Sequence, residues 1–115
     1  MEGSRAESVY CASYQLAVEL LGKRWNGAIL AVLQSRTHRF SELANAVPGL
    51  SERVLAERLR ELESARVIAR RVLPGPPVGV EYELTEAGQD LNQAIRAVSA
   101  WAQKWIESGS LPVRA

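Results

Sequence analysis

Apolar positions recur every three or four residues in two neighbouring segments near the middle of the chain. The longer segment, residues 51–65, places three leucines on one side of a helical wheel and charged side chains on the other. That spacing predicts an amphipathic helix with a buried apolar stripe. A shorter helix precedes it, and Pro48-Gly49 separates the two, so a helix-turn-helix is predicted over residues 41–65. The stripe of the second helix consists of Leu55, Leu59 and Leu62.

Three predicted helices begin with the same pair of residue types, a hydroxyl residue followed by glutamate. The pairs are Ser41-Glu42, Ser51-Glu52 and Thr85-Glu86. The hydroxyl can cap free backbone N–H groups, and the glutamate suits the positive end of the helix dipole. These pairs therefore mark where the helices start.

Two further helices are predicted ahead of the helix-turn-helix. The first runs from about Ala12 to Leu21 and ends at Gly22. The second starts near Arg24 or Trp25, runs to about Gln34 and is apolar nearly all round, which predicts that it is buried. Residues 1–10 are predicted to be a flexible arm, and residues 38–40 a short extended piece.

Two segments rich in strand-forming residues follow the helix-turn-helix. Residues 67–73 are compact and contain β-branched side chains, and residues 80–84 alternate strictly between apolar and acidic. The loop between them is rich in proline and glycine, so the two segments predict a β hairpin. A hairpin directly after the second helix of a helix-turn-helix is a wing. The predicted fold class is therefore mainly α with a small β hairpin, a winged helix-turn-helix.

The last predicted helix, residues 85–107, is the longest, at about 33 Å for a rise of 1.5 Å per residue. Its apolar residues outnumber the positions that so small a core can cover, which predicts a dimerisation helix that pairs with a second copy. The stripe contains Leu91, Ile95, Val98, Trp101 and Trp105. The whole chain is predicted to be one domain, 1–115, made of an arm (1–10), a helix-turn-helix (41–65), a wing (67–84) and this helix (85–107).

Composition limits the classes of function. The formal net charge is only +1, so a positive surface has to come from local placement or from doubling in a dimer. The chain has one cysteine and no apolar run near the roughly 18 residues that span a bilayer, so we expect a protein of the reducing cytoplasm that does not enter a membrane. His38 is the only histidine and is expected to be structural. No catalytic residue, metal site or cofactor site is predicted.

Several motifs resemble those of one family of bacterial regulators. They are Cys11, LLGKRW at 20–25, RFSEL at 39–43, GLSERVLAERLRELESARVIAR at 49–70 and VEYELTEAG at 80–88. Together they make the chain similar to the HxlR-type branch of the MarR-like winged-helix regulators over about residues 11–106. The resemblance implies a homodimeric transcription regulator, associated with the bacterial nucleoid, that binds double-stranded DNA and dimerises through its terminal helices.

The chain also departs from the family's usual pattern. Cys11 is followed by alanine where the family usually has proline, and the family's Gly-Gly-Lys-Trp appears here as Gly-Lys-Arg-Trp at residues 22–25. The wing commonly carries Arg or Lys just before Val-Glu-Tyr, where this chain has Val78 and Gly79. Insertion of a charged wing tip into the minor groove is therefore not expected.

The side of the second helix opposite the leucines is the predicted DNA-reading face. Arg53 and Arg60 suit guanine, because a guanidinium donates two bonds at once, and Glu57 can accept from cytosine. Ser51 at the helix start suits a phosphate. Either these arginines contact DNA, or they form a solvated face paired with neighbouring glutamates. The predicted contacts are Ser51, Arg53, Ala56, Glu57, Arg60, Arg70 and Arg71, with Lys23 and Arg39 as further backbone contacts; Arg58 is assigned to structure.

Two places are candidates for an effector. Cys11 precedes the first helix and is either a redox or electrophile sensor, as in some members of the family, or a small packed residue. Gly27 lies inside a predicted helix, where glycine costs about 1 kcal/mol relative to alanine. Its smooth surface either packs on another helix or opens an aromatic-lined pocket at the dimer interface for a planar small molecule. The predicted pocket residues are Trp25, Gly27, Ala28, Ala31, Trp101 and Trp105.

One other class of function fits the sequence. The near-neutral charge and the uncharged wing tip are also compatible with a winged helix used only for protein–protein contact, without DNA binding.

Overall fold

The structure, a computed structural model, describes residues 11–113; the predicted arm, residues 1–10, lies outside this range. The described chain folds as a winged helix-turn-helix, as predicted. Its elements are α1 Ala12–Gly22, α2 Asn26–Leu33, β1 His38–Arg39, α3 Phe40–Ala46, α4 Glu52–Ser64, β2 Ile68–Leu73, β3 Gly79–Leu84, α5 Glu86–Asp90, α6 Asn92–Ala102 and a π-helical segment Gln103–Glu107.

The core lies between α2, α3, α4 and the inner face of the sheet. Ile29 and Leu30 of α2 are completely buried, as is Leu43 of α3. They meet the predicted leucine stripe of α4, which is confirmed as buried: Leu55, Leu59 and Leu62 are each at most 1% exposed. His38 is also buried, and its Nδ1 lies 2.9 Å from the carbonyl oxygen of Arg36, which agrees with a structural role.

Two of the three predicted helix starts are confirmed in atomic detail. The Ser51 hydroxyl accepts a hydrogen bond from the backbone N–H of Val54 at 3.2 Å, and Thr85 accepts one from Gly88 at 3.2 Å. The prediction for α3 is wrong by one residue, because the helix begins at Phe40. There the backbone N–H of Arg39 donates to the Glu42 carboxylate at 2.9 Å, so Ser41 does not serve as the cap.

The predicted hairpin is part of a larger sheet. Strand β3 lies in the middle and pairs antiparallel with β2 on one side and with β1 on the other. His38 and Arg39 lie outside the predicted hairpin, and they pair with Tyr82 and Glu81 of β3. The sheet therefore joins the wing to the strand that leads into the helix-turn-helix.

The start of α2 differs from the prediction. The helix begins at Asn26, because Trp25 adopts a left-handed backbone conformation with φ 79°. That conformation is unfavourable for a residue with a bulky side chain. It is supported by the buried Asn26 side chain, whose amide donates to the carbonyl oxygen of Leu20 at 2.9 Å and so holds the turn between α1 and α2.

The predicted long C-terminal helix is present, but it begins at Asn92 and not near Thr85. The chain forms α5 and α6 with a break at Leu91, and its final turn is π-helical. The N–H of Leu91 bonds to the carbonyl oxygen of Gly88, three residues back, which tightens the turn. Gly88 packs so closely against Val67 that an added Cβ would collide with the Val67 carbonyl oxygen. The close contact holds α5 against the sheet. A new helix, α6, begins after the break at Leu91.

The terminal helices expose apolar side chains. No residue of α1 or α6 is buried within one protomer. The exposed apolar side chains of these helices and of the π-helical segment, called here the terminal apolar face, are Tyr14, Leu16, Val18, Val98, Trp101 and Trp105. No helix among the described residues is both long and apolar enough to cross a membrane.

Candidate DNA-binding surface

Burial of the leucine stripe turns the opposite side of α4 toward solvent. This outward face consists of Arg53, Ala56, Glu57 and Arg60. The Arg53 side chain is 80% exposed, Arg60 is exposed, and Ala56 and Glu57 are half-buried. A face of this kind on the second helix of a helix-turn-helix has the length and exposure needed to enter a major groove.

The two arginines of the outward face differ in their partners. Arg53 Nη1 lies 3.2 Å from a carboxylate oxygen of Glu57, one helical turn away. Arg60 has no carboxylate within 4.0 Å among residues 11–113. An exposed pair of this spacing stabilises a helix by only about 0.3–0.5 kcal/mol, so Arg53 can exchange its partner at small cost. Both guanidinium groups are therefore free to reach base edges.

The start of α4 is built to present donors. The Ser51 oxygen accepts from the N–H of Val54, which leaves the hydroxyl hydrogen available to donate. Gly49 in the preceding turn has φ +88°, a left-handed conformation that favours glycine. The turn thus brings the positive end of the helix dipole to the surface together with the Ser51 hydroxyl, an arrangement suited to a phosphate.

Arg58 has the structural position that the helical wheel predicts. Its side chain is 16% exposed. Its Nε donates to the carbonyl oxygen of Arg24 at 3.0 Å, and its Nη1 lies 3.6 Å from Glu61. Arg58 therefore ties α4 to the loop between α1 and α2 and does not belong to the outward face.

Lys23 approaches the same helix from that loop. Its Nζ lies 2.9 Å from a carboxylate oxygen of Glu61, and this hydrogen bond is the main reason that the pKa of Glu61 is lowered from its usual value. This link from the α1–α2 loop to α4 was not predicted from the sequence. The sequence gives no signal for it, because the two residues are 38 positions apart.

The arginines of β2 point to opposite faces of the sheet. Arg71 lies opposite Glu81 in the β2–β3 register, and its Nη2 is 3.4 Å from Glu81 and 3.5 Å from Glu83. Arg70 lies opposite Tyr82 on the other face, is exposed and has no ion pair with any described residue. Arg70 is therefore the freer of the two for a phosphate contact.

The wing tip is apolar and uncharged. No charged residue occurs from residue 72 to residue 80. Val78 is 70% exposed, and Val72 on the facing strand is also exposed. The cations of the wing lie at its stem, nearer the core.

The predicted effector residues are dispersed. Cys11 is exposed, directly before α1. A cavity of about 240 Å³ is lined by Gly27 and Ala31, as predicted, but its other walls are aliphatic or small: Leu21, Ala94, Ile95, Val98 and Ser99. Trp25, Trp101 and Trp105 do not line this cavity within one protomer, so the aromatic-lined pocket at the dimer interface stays a prediction.

The remaining predicted pocket residues lie outside this cavity. Ala28 is exposed, and the Trp25 ring lies 4.8 Å from the Arg24 guanidinium and faces Gly49. Trp105 is exposed, and Lys104 Nζ lies 5.3 Å from the centre of its ring. A Cβ added at Gly27 would meet only the Leu21 carbonyl oxygen of α1, at 3.8 Å, which is an ordinary van der Waals distance. Among residues 11–113, no cluster of three or more His, Cys, Asp or Glu side chains could hold a metal ion.

Comparison with known proteins places this arrangement among characterised folds. The family described as HxlR-like helix-turn-helix matches residues 20–110. The HTH-type transcriptional regulator YodB of Bacillus subtilis (strain 168) is 44% identical over 99 residues, which cover 86% of this chain and 88% of YodB. An uncharacterized HTH-type transcriptional regulator of the same organism, YvaP, is 43% identical over 105 residues, 91% of this chain and 97% of YvaP.

Solved structures agree with the sequence matches. The reduced form of YodB superposes with a TM-score of 0.78 over 86% of this chain and 97% of that chain. YodB has also been solved after diamide treatment and with quinone bound. The reduced form of the redox regulator HypR, 27% identical, gives a TM-score of 0.78 over 84% of this chain and 96% of that chain. These relatives are regulators and not enzymes, which confirms the expected class.

Proposed function

The chain belongs to the HxlR-like helix-turn-helix family of DNA-binding transcription regulators, and we propose that it works as a homodimer that reads a palindromic operator through the outward face of α4. The observation that carries this proposal is the pairing of a fully buried leucine stripe with an exposed Arg53–Arg60 face on one helix. Arg53, Ala56, Glu57 and Arg60 then read bases in the major groove. Ser51, Lys23, Arg39, Arg70 and Arg71 contact the sugar–phosphate backbone.

The terminal apolar face supports the dimer. Leu16 is 66% exposed and Val98 is 67% exposed in one protomer, and Tyr14, Trp101 and Trp105 of the same segments are exposed as well. Large apolar patches on a protein surface mark contact sites. A two-fold axis that covers this face with its own copy relates the two α4 helices by the same symmetry, and two reading helices related in this way match a palindromic operator.

Electrophoretic shift and sedimentation test the proposal directly. The duplex is the region upstream of the protein's own gene, and binding is measured at 50 and 200 mM salt. We expect a dimer in solution and a shift whose affinity falls steeply with salt, since phosphate contacts release counterions. No shift at low salt would favour the alternative, a winged helix that contacts only proteins, to which the apolar wing tip is suited.

We propose that the dimer responds to oxidants or electrophiles at Cys11. The thiolate of this exposed residue adds to a ring carbon of a quinone-type electrophile. A C–S bond forms, the ring becomes a hydroquinone after taking up a proton, and no group leaves. Because Cys11 is the chain's only cysteine, a disulfide between two different sequence positions cannot form. An oxidant must instead join Cys11 to its symmetry mate or to a small thiol.

Mass spectrometry after quinone or diamide treatment tests the sensor, with Cys11→Ser as the control. We expect one adduct per chain and altered operator affinity in the parent protein only. Complete modification with unchanged DNA binding would rule the sensor out. A second effector route is a small apolar molecule in the 240 Å³ cavity beside Gly27. A rise in thermal stability on binding that Gly27→Leu abolishes would support this route.

A further inference from the structure

Three charged residues form a row across the solvent face of the sheet. Arg39 of β1 and Arg71 of β2 both lie opposite Glu81 of the central strand. Glu81 pairs with Arg71 at 3.4 Å, and Glu83 also lies 3.5 Å from the same guanidinium. Arg39 has no carboxylate within 4.0 Å among the described residues, although Glu81 is its direct neighbour in the register.

The Arg39 side chain instead lies over the backbone of Gly79. A Cβ built on Gly79 would be 3.2 Å from Arg39 Nη1 and 3.4 Å from Cζ. The guanidinium therefore occupies the space above β3 into which a side chain at position 79 would project. Gly79 is the first residue of β3, so this cation stands where the uncharged wing tip joins the stem.

We propose that Arg39 is a second DNA-contacting cation of the wing beside Arg70, supplied by β1 and given room by the missing side chain of Gly79. The inference rests on the proposed DNA binding and adds a residue role to it. The tip itself, residues 72–80, has no charge with which to attract a phosphate. Arg71 is held by two carboxylates, whereas Arg39 is exposed and keeps its donors unpaired by any described carboxylate. A guanidinium in this state can bind a phosphate in a bidentate manner.

Salt-dependent binding of the upstream duplex tests this role. Each phosphate contact contributes about 0.9 to the slope of log K against log salt. Two wings act in a dimer, so Arg39→Ala should lower the slope by about 1.8. The affinity ratio of parent to variant should then shrink about 12-fold between 50 and 200 mM salt. Arg96→Ala on α6 removes the same charge far from the wing and is the matched control. Circular dichroism checks that each variant is folded.

A second variant keeps the test specific to the wing. Arg39→Ala combined with Gly79→Arg returns a guanidinium to the same place from β3, and we expect it to recover most of the lost slope. An unchanged slope in Arg39→Ala, or a loss equal to that of Arg96→Ala, would overturn the inference. So would a loss that the double variant does not recover, because Arg39 would then act outside the wing. Failure of the parent protein to bind at 50 mM salt would instead overturn the proposed function, and this inference with it.

Discussion

The helix-turn-helix and the terminal helices carry similar apolar stripes, yet only one stripe is covered within a protomer. Leu59 in α4 is 1% exposed, whereas Leu16 in α1 is 66% exposed. Both were visible as three- and four-residue spacings in the sequence. Periodicity thus identifies an apolar face but not what covers it. In α4 the cover is the chain's own core, and we propose that on α1 and α6 it is a second copy.

The largest expected effect is on the free energy of unfolding, and it distinguishes the α4 stripe from the terminal apolar face. Leu59→Ala should lower the free energy of unfolding by about 2–5 kcal/mol, because it leaves a cavity in a packed core. Leu16→Ala should change the unfolding of the isolated protomer by less than about 1 kcal/mol, but it should make the dimer dissociate at a higher protein concentration. Urea unfolding at several protein concentrations measures both. Equal losses for the two variants at the lowest concentration would show that α1 is covered within one protomer.

The outward face of α4 and the arginines of the wing are expected to differ in their effect on the sequence specificity of DNA binding. Arg53→Ala should weaken operator binding by about 1–3 kcal/mol and relax the sequence preference, since Arg53 is assigned to bases. Arg70→Ala should weaken all sequences alike and lower the salt slope by about one per protomer, because Arg70 is exposed and has no ion pair with any described residue. Binding is measured by fluorescence anisotropy against operator and scrambled duplexes. If Arg53→Ala binds the operator as tightly as the parent, a different face of α4 reads the DNA.

The same contrast shows how far the sequence predicts the fold. Local spacing and local hydrogen bonds predict three features that the structure confirms. They are the leucine stripe, the Ser51 and Thr85 caps, and the wing. The break at Leu91 depends on the packing of Gly88 against Val67, which are distant in sequence.

The candidate site divides in the same way. The outward face of α4 follows from a helical wheel, and the structure exposes Arg53 and Arg60 as that wheel predicts. The position of Arg39 over Gly79 and the pairing of Lys23 with Glu61 depend on tertiary neighbours. Interactions between residues far apart in the chain leave no periodic trace in one sequence.

Ser51 and Ser41 give a smaller and sharper test of local prediction. Ser51→Ala should destabilise the protein by about 0.5–2 kcal/mol, because it removes the acceptor of the Val54 N–H. Ser41→Ala should change stability by less than about 0.5 kcal/mol, since Ser41 lies within α3 and does not cap it. Thermal unfolding of both variants at one protein concentration measures the difference. Equal losses would mean that Ser41 has a capping role after all.

The smallest expected effect concerns the link between the α1–α2 loop and α4. The hydrogen bond from Lys23 lowers the pKa of Glu61 below its usual value of 4.5. A carboxylate with a lowered pKa in the folded state adds stability above its unfolded pKa, and that stability is lost as the pH falls through the folded pKa.

Glu61→Gln should therefore flatten the loss of stability below about pH 4.5 and leave the slope near neutral pH unchanged. Glu63→Gln, on the same helix and in no ion pair with any described residue, is the control. Because both partners are exposed, screening keeps the difference small and 1 M salt should remove it. Identical acid profiles for Glu61→Gln and the parent at low salt would mean that Lys23 does not bind α4 in solution, and the outward face of α4 would then be held to the loop by Arg58 alone.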